Sequence, residues 1–169
     1  MNIVTLEQGK RKKLAIHQEN CDVCNQLAQC DEGRHPRFIA NLRVTTVVMG
    51  PQQKWPGYAV LFLREKKTEL TQLGRQDQLA LMEDIADVAA AVESVTGAHK
   101  LNIESLGNMC HHLHWHIFPR QAEEEHPLDP VWTQMPTPGE QLFQADIHSA
   151  LMERLRTYLT ASFEPRKVQ

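Results

Sequence analysis

The run His112-Leu113-His114-Trp115-His116 alternates imidazole and apolar side chains, and it constrains the chain more than any other feature. In a β-strand, residues two apart point to the same face, so the three histidines share one face while Leu113 and Trp115 cover the other. At ~3.3 Å per residue, neighbouring histidines stand about 6.6 Å apart and the outer two about 13 Å apart. Two of them could share a metal ion, but three in an unbroken strand cannot, because Zn–N bonds are only ~2 Å long. Such a row suits an extended polyanion.

The chemistry of imidazole indicates what a histidine row can do. Its unperturbed pKa lies near neutral pH, so a neutral ring can attack phosphorus and a charged neighbour can stabilise phosphoryl oxygens. A single histidine is typical of a surface or of a metal site. An alternating triple on one strand favours a catalytic or phosphate-binding site over that interpretation.

Hydrophobic patterning predicts an α+β domain around this run. Residues 38–49 are rich in β-branched side chains and predict a strand, the apolar run 58–63 predicts a second, and the short loop between them predicts an antiparallel pair. Helical spacing of apolar residues predicts a long helix over 76–95, ended by Gly97. Further strands are predicted over 100–103 and over 110–118, the latter ending before Pro119. The remaining predictions are a weakly patterned helix within 14–30, an irregular proline-rich stretch after Arg120, and a C-terminal amphipathic helix with Phe143, Ile147, Leu151, Leu155 and Tyr158 on one face.

Length and composition limit the class of protein. The 169 residues suit one domain, and 41% hydrophobic with 23% charged residues is typical of a folded globular chain. The net charge of −3 offers no broad positive field, so we expect no nucleic-acid partner. The basic run 10–13 is interpreted as a solvated face or terminal arm. Because neither a bilayer-length apolar stretch nor a signal-peptide pattern is seen, the sequence predicts a cytoplasmic protein without a membrane partner.

With residues 117 and 118 included, the histidine run resembles the His-φ-His-φ-His-φ-φ signature of the histidine triad (HIT) superfamily of nucleotidyl hydrolases and transferases. The similarity extends to 101–103 and 106–108, to Pro119-Arg120 and to the earlier segment 56–61, so it covers roughly residues 38–120. Residues 129–132, Asp-Pro-Val-Trp, are similar to a branch described as diadenosine-polyphosphate hydrolase-like.

The resemblance implies a HIT-like fold. This is an antiparallel sheet of about five strands with a long helix and a C-terminal helix packed on it. We expect a single domain over residues 1–169, made of an N-terminal extension (1–37), a HIT core (38–120), and a loop with the C-terminal helix (121–169). The family likeness also implies a homodimer.

The same resemblance implies roles for the histidines. His114 would attack the α-phosphorus and form a covalent nucleotidyl-histidine intermediate, which water then hydrolyses. His116 would bind a phosphoryl oxygen and help the leaving group depart, and His112 would orient the site or support the loop before it. Asn108 stands where the family often has a longer glutamine that contacts phosphate. The resemblance also implies phosphate or ribose contacts for three residues, Asn102, Gly107 and Asn108.

We therefore expect an enzyme, a nucleotidyl hydrolase acting on diadenosine polyphosphates or phosphoramidates and requiring no cofactor. The nucleotidyl-sugar transferases of the superfamily carry glutamine at the third motif position, so His116 favours hydrolysis. The alternative hypothesis is a nucleotide-binding or sensing module with slow turnover, whose role lies in partner contacts.

Four cysteines raise a third hypothesis, a zinc-dependent protein. The pair Cys21 and Cys24, followed by Cys30 and His35, has the spacing of a metal knuckle, and reducing compartments disfavour disulfides. Some HIT relatives hold zinc through such a pair and the first motif histidine. Many also carry a histidine after the apolar strand, which residues 63–67 lack. The competing interpretation is ordinary reduced thiols, with Cys110 a small buried residue.

The tryptophans are interpreted first as packing residues. Trp115 is predicted in the core, on the apolar side of its strand. Trp55 and Trp132 are assigned to the core or to loop anchors, with stacking on a nucleotide base as the alternative.

Overall fold

The computed structural model describes residues 21–162 and has one five-stranded antiparallel sheet. In chain order the elements are α1 (Asp22–Asp31), β1 (Phe38–Asn41), β2 (Thr45–Met49), β3 (Ala59–Leu63), α2 (Arg75–Thr96), β4 (Lys100–Glu104), β5 (His114–Arg120) and α3 (Ala145–Ser162), with single 3₁₀ turns at Leu70–Gln72 and Val131–Thr133. The sheet order is β1-β2-β3-β5-β4. This confirms the predicted α+β fold. The basic run 10–13 and the first part of the predicted 14–30 helix lie outside the described residues.

The two long helices cover one face of the sheet. The main core joins Ile85 of α2 and Leu155 of α3 to Trp115 and Ile117 of β5. All four of these residues are less than a tenth exposed. Within residues 21–162, no helix has both the length and the apolar character needed to cross a bilayer.

The opposite face of the sheet is covered by the short helix α1. Its Val23 and Leu27 belong to a second apolar cluster that includes Phe118 of β5. Alternate residues of β5 therefore serve two environments, because successive side chains of a strand point to opposite faces. One is the main core, and the other is a partly covered face that also carries His114 and His116.

The two long helices agree with the predictions, apart from one end. Helix α2 is followed by Gly97, which caps it in the left-handed conformation with φ 68°, as predicted. Helix α3 begins only at Ala145, so Phe143 precedes it, and the Phe143 N–H bonds instead to the Pro51 carbonyl. Ile147 is 61% exposed. The predicted apolar face is therefore wrong at its N-terminal end, whereas Leu155 of the same face is buried as predicted.

Residues 38–49 form two strands rather than the single predicted one. Strands β1 and β2 pair antiparallel, and a tight connection lies between Asn41 and Thr45. Asp84 of α2 is fully buried and accepts hydrogen bonds from the backbone N–H groups of Arg43 and Val44 in this connection. The chain reverses here because a distant carboxylate satisfies the backbone groups that a continuous strand would pair. The predicted antiparallel pairing of the next two strands, β2 and β3, is confirmed.

The strand that carries the histidines is shifted along the sequence from its prediction. It begins at His114 and continues through Pro119 to Arg120. The Arg120 carbonyl accepts a hydrogen bond from the His99 N–H beside β4. Backbone groups of successive strand residues point to opposite neighbours, so those of Pro119 point towards β3. Pairing with β3 ends at Ile117. Pro119 is tolerated because its missing N–H lies beyond the last β3 pair.

Candidate active site

His114 is oriented by the backbone two residues before it. Its Nδ1 lies 2.7 Å from the carbonyl oxygen of His112. A carbonyl oxygen can only accept, so Nδ1 carries the proton and donates it. The lone pair of the neutral ring is then on Nε2, the atom farther from the backbone. The side chain is half-buried, so a nucleophilic nitrogen is both fixed in direction and accessible.

His116 lies beside His114 on the same face of β5. The two ring centroids are 4.9 Å apart, and the rings meet edge to face. Burial, with a smaller contribution from His114, lowers the pKa of His116 to about 4. His116 is therefore neutral at physiological pH and offers one N–H donor and one acceptor. The pair combines a nucleophile with a neighbouring neutral hydrogen-bonding group.

A cavity of about 660 Å³ lies beside His114. Gly107 lies on its wall with φ 65°, in the left-handed region that favours glycine. Asn108 lies on the same wall, so two of the predicted phosphate contacts are brought to the predicted nucleophile. Further polar or charged side chains line the cavity, namely Thr68, Glu69, Thr71, Ser105 and His111.

Asn102 lies on the same face of the sheet but farther from His114. It pairs with Phe118 in the β4–β5 ladder, and its Oδ1 accepts a hydrogen bond of 2.8 Å from Arg120. Its side-chain oxygen is thus already bonded. Glu104, which pairs with His116, lies nearer to the histidines and is a site residue that the sequence does not predict.

Trp132 lies at the edge of the site. Its ring is edge-on to that of His116 with centroids 5.1 Å apart, and its N–H donates to Glu104. The side chain is 38% exposed, so it borders the site rather than filling the core. A tryptophan in the proline-rich segment after the motif is the sequence signal for this position. Trp55 is buried by contrast, as is Trp115, which confirms the core prediction for the latter.

His112 does not join the predicted row of three imidazoles. It precedes β5, is 2% exposed, and donates from Nε2 to the Leu63 carbonyl at 2.7 Å. Its Nδ1 instead faces Cys24 and Cys21. The prediction is wrong here because alternation holds only within a strand, and the strand starts two residues later. His112 contributes to the site through its backbone oxygen.

The three side chains of Cys21, Cys24 and His112 come together in a group that could hold a metal ion. The sulfur atoms of Cys21 and Cys24 lie 3.5 and 3.4 Å from Nδ1 of His112. A tetrahedral zinc ion with Zn–S ~2.3 Å and Zn–N ~2.0 Å separates such atoms by about 3.5 Å, so the donors fit. Since Nε2 of His112 carries the proton, the Nδ1 lone pair is available to a metal.

The other two cysteines and His35 lie outside this group of three donors. Cys110 is half-buried, and its sulfur lies 4.0 Å from that of Cys21, but it is not part of the three-donor group. Cys30 packs in the apolar cluster under α1, and His35 bonds through Nε2 to Gln26 at 3.2 Å. The predicted knuckle is therefore wrong for Cys30 and His35, which bond and pack elsewhere.

Solved structures share this fold. A histidine triad protein from Bradyrhizobium japonicum is 28% identical, with a TM-score of 0.66 over 72% of this chain and 89% of that one. One from Sinorhizobium meliloti is 25% identical, with a TM-score of 0.65 over 72% and 88%. The diadenosine triphosphate hydrolase of Plasmodium falciparum is 12% identical, with a TM-score of 0.57 over 76% and 79%, a likeness of fold alone.

Family membership follows from the sequence match. No curated protein sequence matches the chain significantly. The HIT domain model, however, matches residues 39–123, about half of the chain. This match includes four of the five strands in full, the long helix α2 and both His114 and His116. The chain belongs to the histidine triad family.

Proposed function

We propose that the protein is a nucleotidyl hydrolase that cleaves a nucleoside phosphate from its leaving group through His114. The observation that carries this proposal is the hydrogen bond from His114 Nδ1 to the His112 carbonyl, which leaves the Nε2 lone pair free beside a cavity. Family membership supports a nucleotide substrate, since the family includes nucleotide hydrolases and nucleotide-binding proteins.

In the proposed first step, Nε2 of His114 attacks the α-phosphorus. A phosphorus–nitrogen bond forms, and the bond to the leaving group breaks with its electron pair going to the departing atom. His116 stabilises the charge that develops there by a hydrogen bond. Water then attacks the same phosphorus, the phosphorus–nitrogen bond breaks, and a nucleoside monophosphate is released. Gly107 and Asn108 are proposed to hold phosphoryl oxygens during both steps.

The test is hydrolysis of diadenosine polyphosphates and adenosine phosphoramidates by the wild type and by His114→Ala. We expect the substitution to lower kcat by at least about 10³-fold, because a nucleophile is lost. His99→Ala is the matched control, since His99 is exposed and lies at the far end of the β4–β5 pair. It should leave kcat unchanged.

A labelled adduct separates hydrolysis from the binding-module alternative. Mixing the wild type with a radiolabelled dinucleotide and quenching in alkali should retain label on the protein, and His114→Ala should not. A folded wild type that binds nucleotide but forms neither adduct nor product would overturn the proposal in favour of slow-turnover sensing.

We also propose that Cys21, Cys24 and His112 hold a structural zinc ion. The thiol–imidazole distances and the tautomer of His112 support this. The ion would tie the start of α1 to the turn before His114, and it would take no part in the reaction.

A further inference from the structure

Tyr58 contacts His116 directly. The Tyr58 hydroxyl lies 2.6 Å from Nδ1 of His116, and the tyrosine is only 3% exposed. We propose that Tyr58 is a positioning residue that holds His116 as a neutral donor with its proton on Nε2, which favours phosphoanhydride over phosphoramidate substrates. This inference rests on the proposed function.

The direction of the hydrogen bond follows from burial. Among the residues that the structure describes, the Tyr58 hydroxyl bonds to His116 Nδ1. If the imidazole donated instead, the hydroxyl hydrogen would be left without a partner in the interior, which is unfavourable. Burial also raises the pKa of Tyr58, so the hydroxyl keeps its proton. Tyr58 therefore donates to Nδ1, and the single proton of neutral His116 is on Nε2.

The Tyr58 ring is held in place by two neighbours. It stacks on Phe118 with ring centroids 4.0 Å apart. A Cβ atom added at Gly50 would lie 2.0 to 2.6 Å from three ring atoms, so the ring occupies space that only glycine leaves. The hydroxyl is thus fixed against His116 by packing.

His114 and His116 then present opposite tautomers to the substrate. His114 presents a lone pair at Nε2, and His116 presents an N–H at Nε2, so one ring attacks while the other donates. A phosphate leaving group departs as an anion and needs only that hydrogen bond. An amine leaving group must gain a proton as it departs. His116 can supply that proton only by drawing one from Tyr58, which is unfavourable for a buried phenol.

The first test is spectroscopic and independent of activity. In ¹⁵N-histidine-labelled protein, long-range ¹H–¹⁵N spectra distinguish the two tautomers, and His116→Gln assigns the His116 signals. We expect the Nε2–H tautomer in the wild type and loss of that single tautomer in Tyr58→Phe. Tyr158→Phe, the matched control on α3, should leave it intact. Unchanged His116 signals in Tyr58→Phe would overturn the inference.

The second test compares substrates. Tyr58→Phe should lower kcat for a diadenosine polyphosphate about tenfold or more while KM changes little, and the wild type should prefer the anhydride to the phosphoramidate. Wild-type preference for the phosphoramidate would contradict the inference while leaving the proposed function intact. Turnover of neither substrate by the folded wild type would instead sink the proposed function itself.

Discussion

Asp84 of the long helix accepts hydrogen bonds from both the backbone N–H and the hydroxyl of Thr45, at 3.0 and 2.9 Å. The same carboxylate also accepts hydrogen bonds from the backbone N–H groups of Arg43 and Val44. It thereby fixes where β1 ends and β2 begins. The helix and the hairpin are joined by one buried acceptor.

Replacing that acceptor should destabilise the fold. Asp84→Asn puts N–H donors where backbone N–H groups point, and we expect a loss on the order of 2–3 kcal/mol in the free energy of unfolding. Asp87→Asn is the control, because Asp87 also pairs with Arg43 but is part-exposed. It should cost less than about 1 kcal/mol. Urea denaturation measures both, and equal losses would contradict this account.

The Asp84 contact also explains which parts of the fold can be predicted from the sequence. Local patterns determine α2 and β3, whose apolar residues recur at a fixed spacing, and both are predicted. The division of 38–49 depends on a carboxylate some forty residues away, which no local pattern contains. His112 likewise leaves the predicted row because Leu63 and the cysteines near the start of α1 bind its ring. Alternation locates the site, and non-local bonds decide which histidines line it.

Replacing Arg120 with lysine should destabilise the protein. Its side chain is 5% exposed, and its donors reach Glu124, Asn102 and the carbonyls of the loop that follows. A lysine ammonium lacks the planar fork that meets these acceptors together. We expect Arg120→Lys to cost on the order of 2 kcal/mol of unfolding free energy and to make the 121–134 loop more sensitive to proteases. Arg154→Lys, on the exposed side of α3, should change neither.

The metal proposal predicts about one zinc per chain in protein purified without added metal. Cys24→Ser should lower that content, because a thiolate ligand is lost. Cys30→Ser is the matched control, since Cys30 lies outside the ligand group. Elemental analysis with thiol titration measures the outcome. Metal-free protein in which the thiols of Cys21 and Cys24 react freely would exclude the site.

Acid should weaken the fold through His35. Burial, aided by the charge of Arg37, lowers the pKa of His35 to about 4, and its Nδ1 accepts the Arg37 N–H. An unfolded histidine titrates near ~6.5. The stabilisation is therefore fully present above about pH 6.5 and is lost as the pH falls towards 4, by up to about 3 kcal/mol.

Denaturant titrations between about pH 7 and pH 4.5 check this, because the window lies between the two pKa values. The slope of unfolding free energy against pH should be smaller in His35→Gln than in the wild type. It should not vanish, because the pKa of His116 is also lowered to about 4 and that group titrates in the same window. An unchanged slope in His35→Gln would show that other groups carry the acid sensitivity.

The acceptor that orients His114 is the main-chain oxygen of position 112. Every amino acid carries that oxygen, so no codon change at position 112 can delete it. Removing the His112 ring changes the orientation of His114 only if the backbone moves once the bond to Leu63 is gone. Mutational tolerance at position 112 therefore measures how firmly the turn is anchored, whereas tolerance at position 114 measures the chemistry. A complete substitution series at these two positions would separate the structural requirement at position 112 from the chemical requirement at position 114.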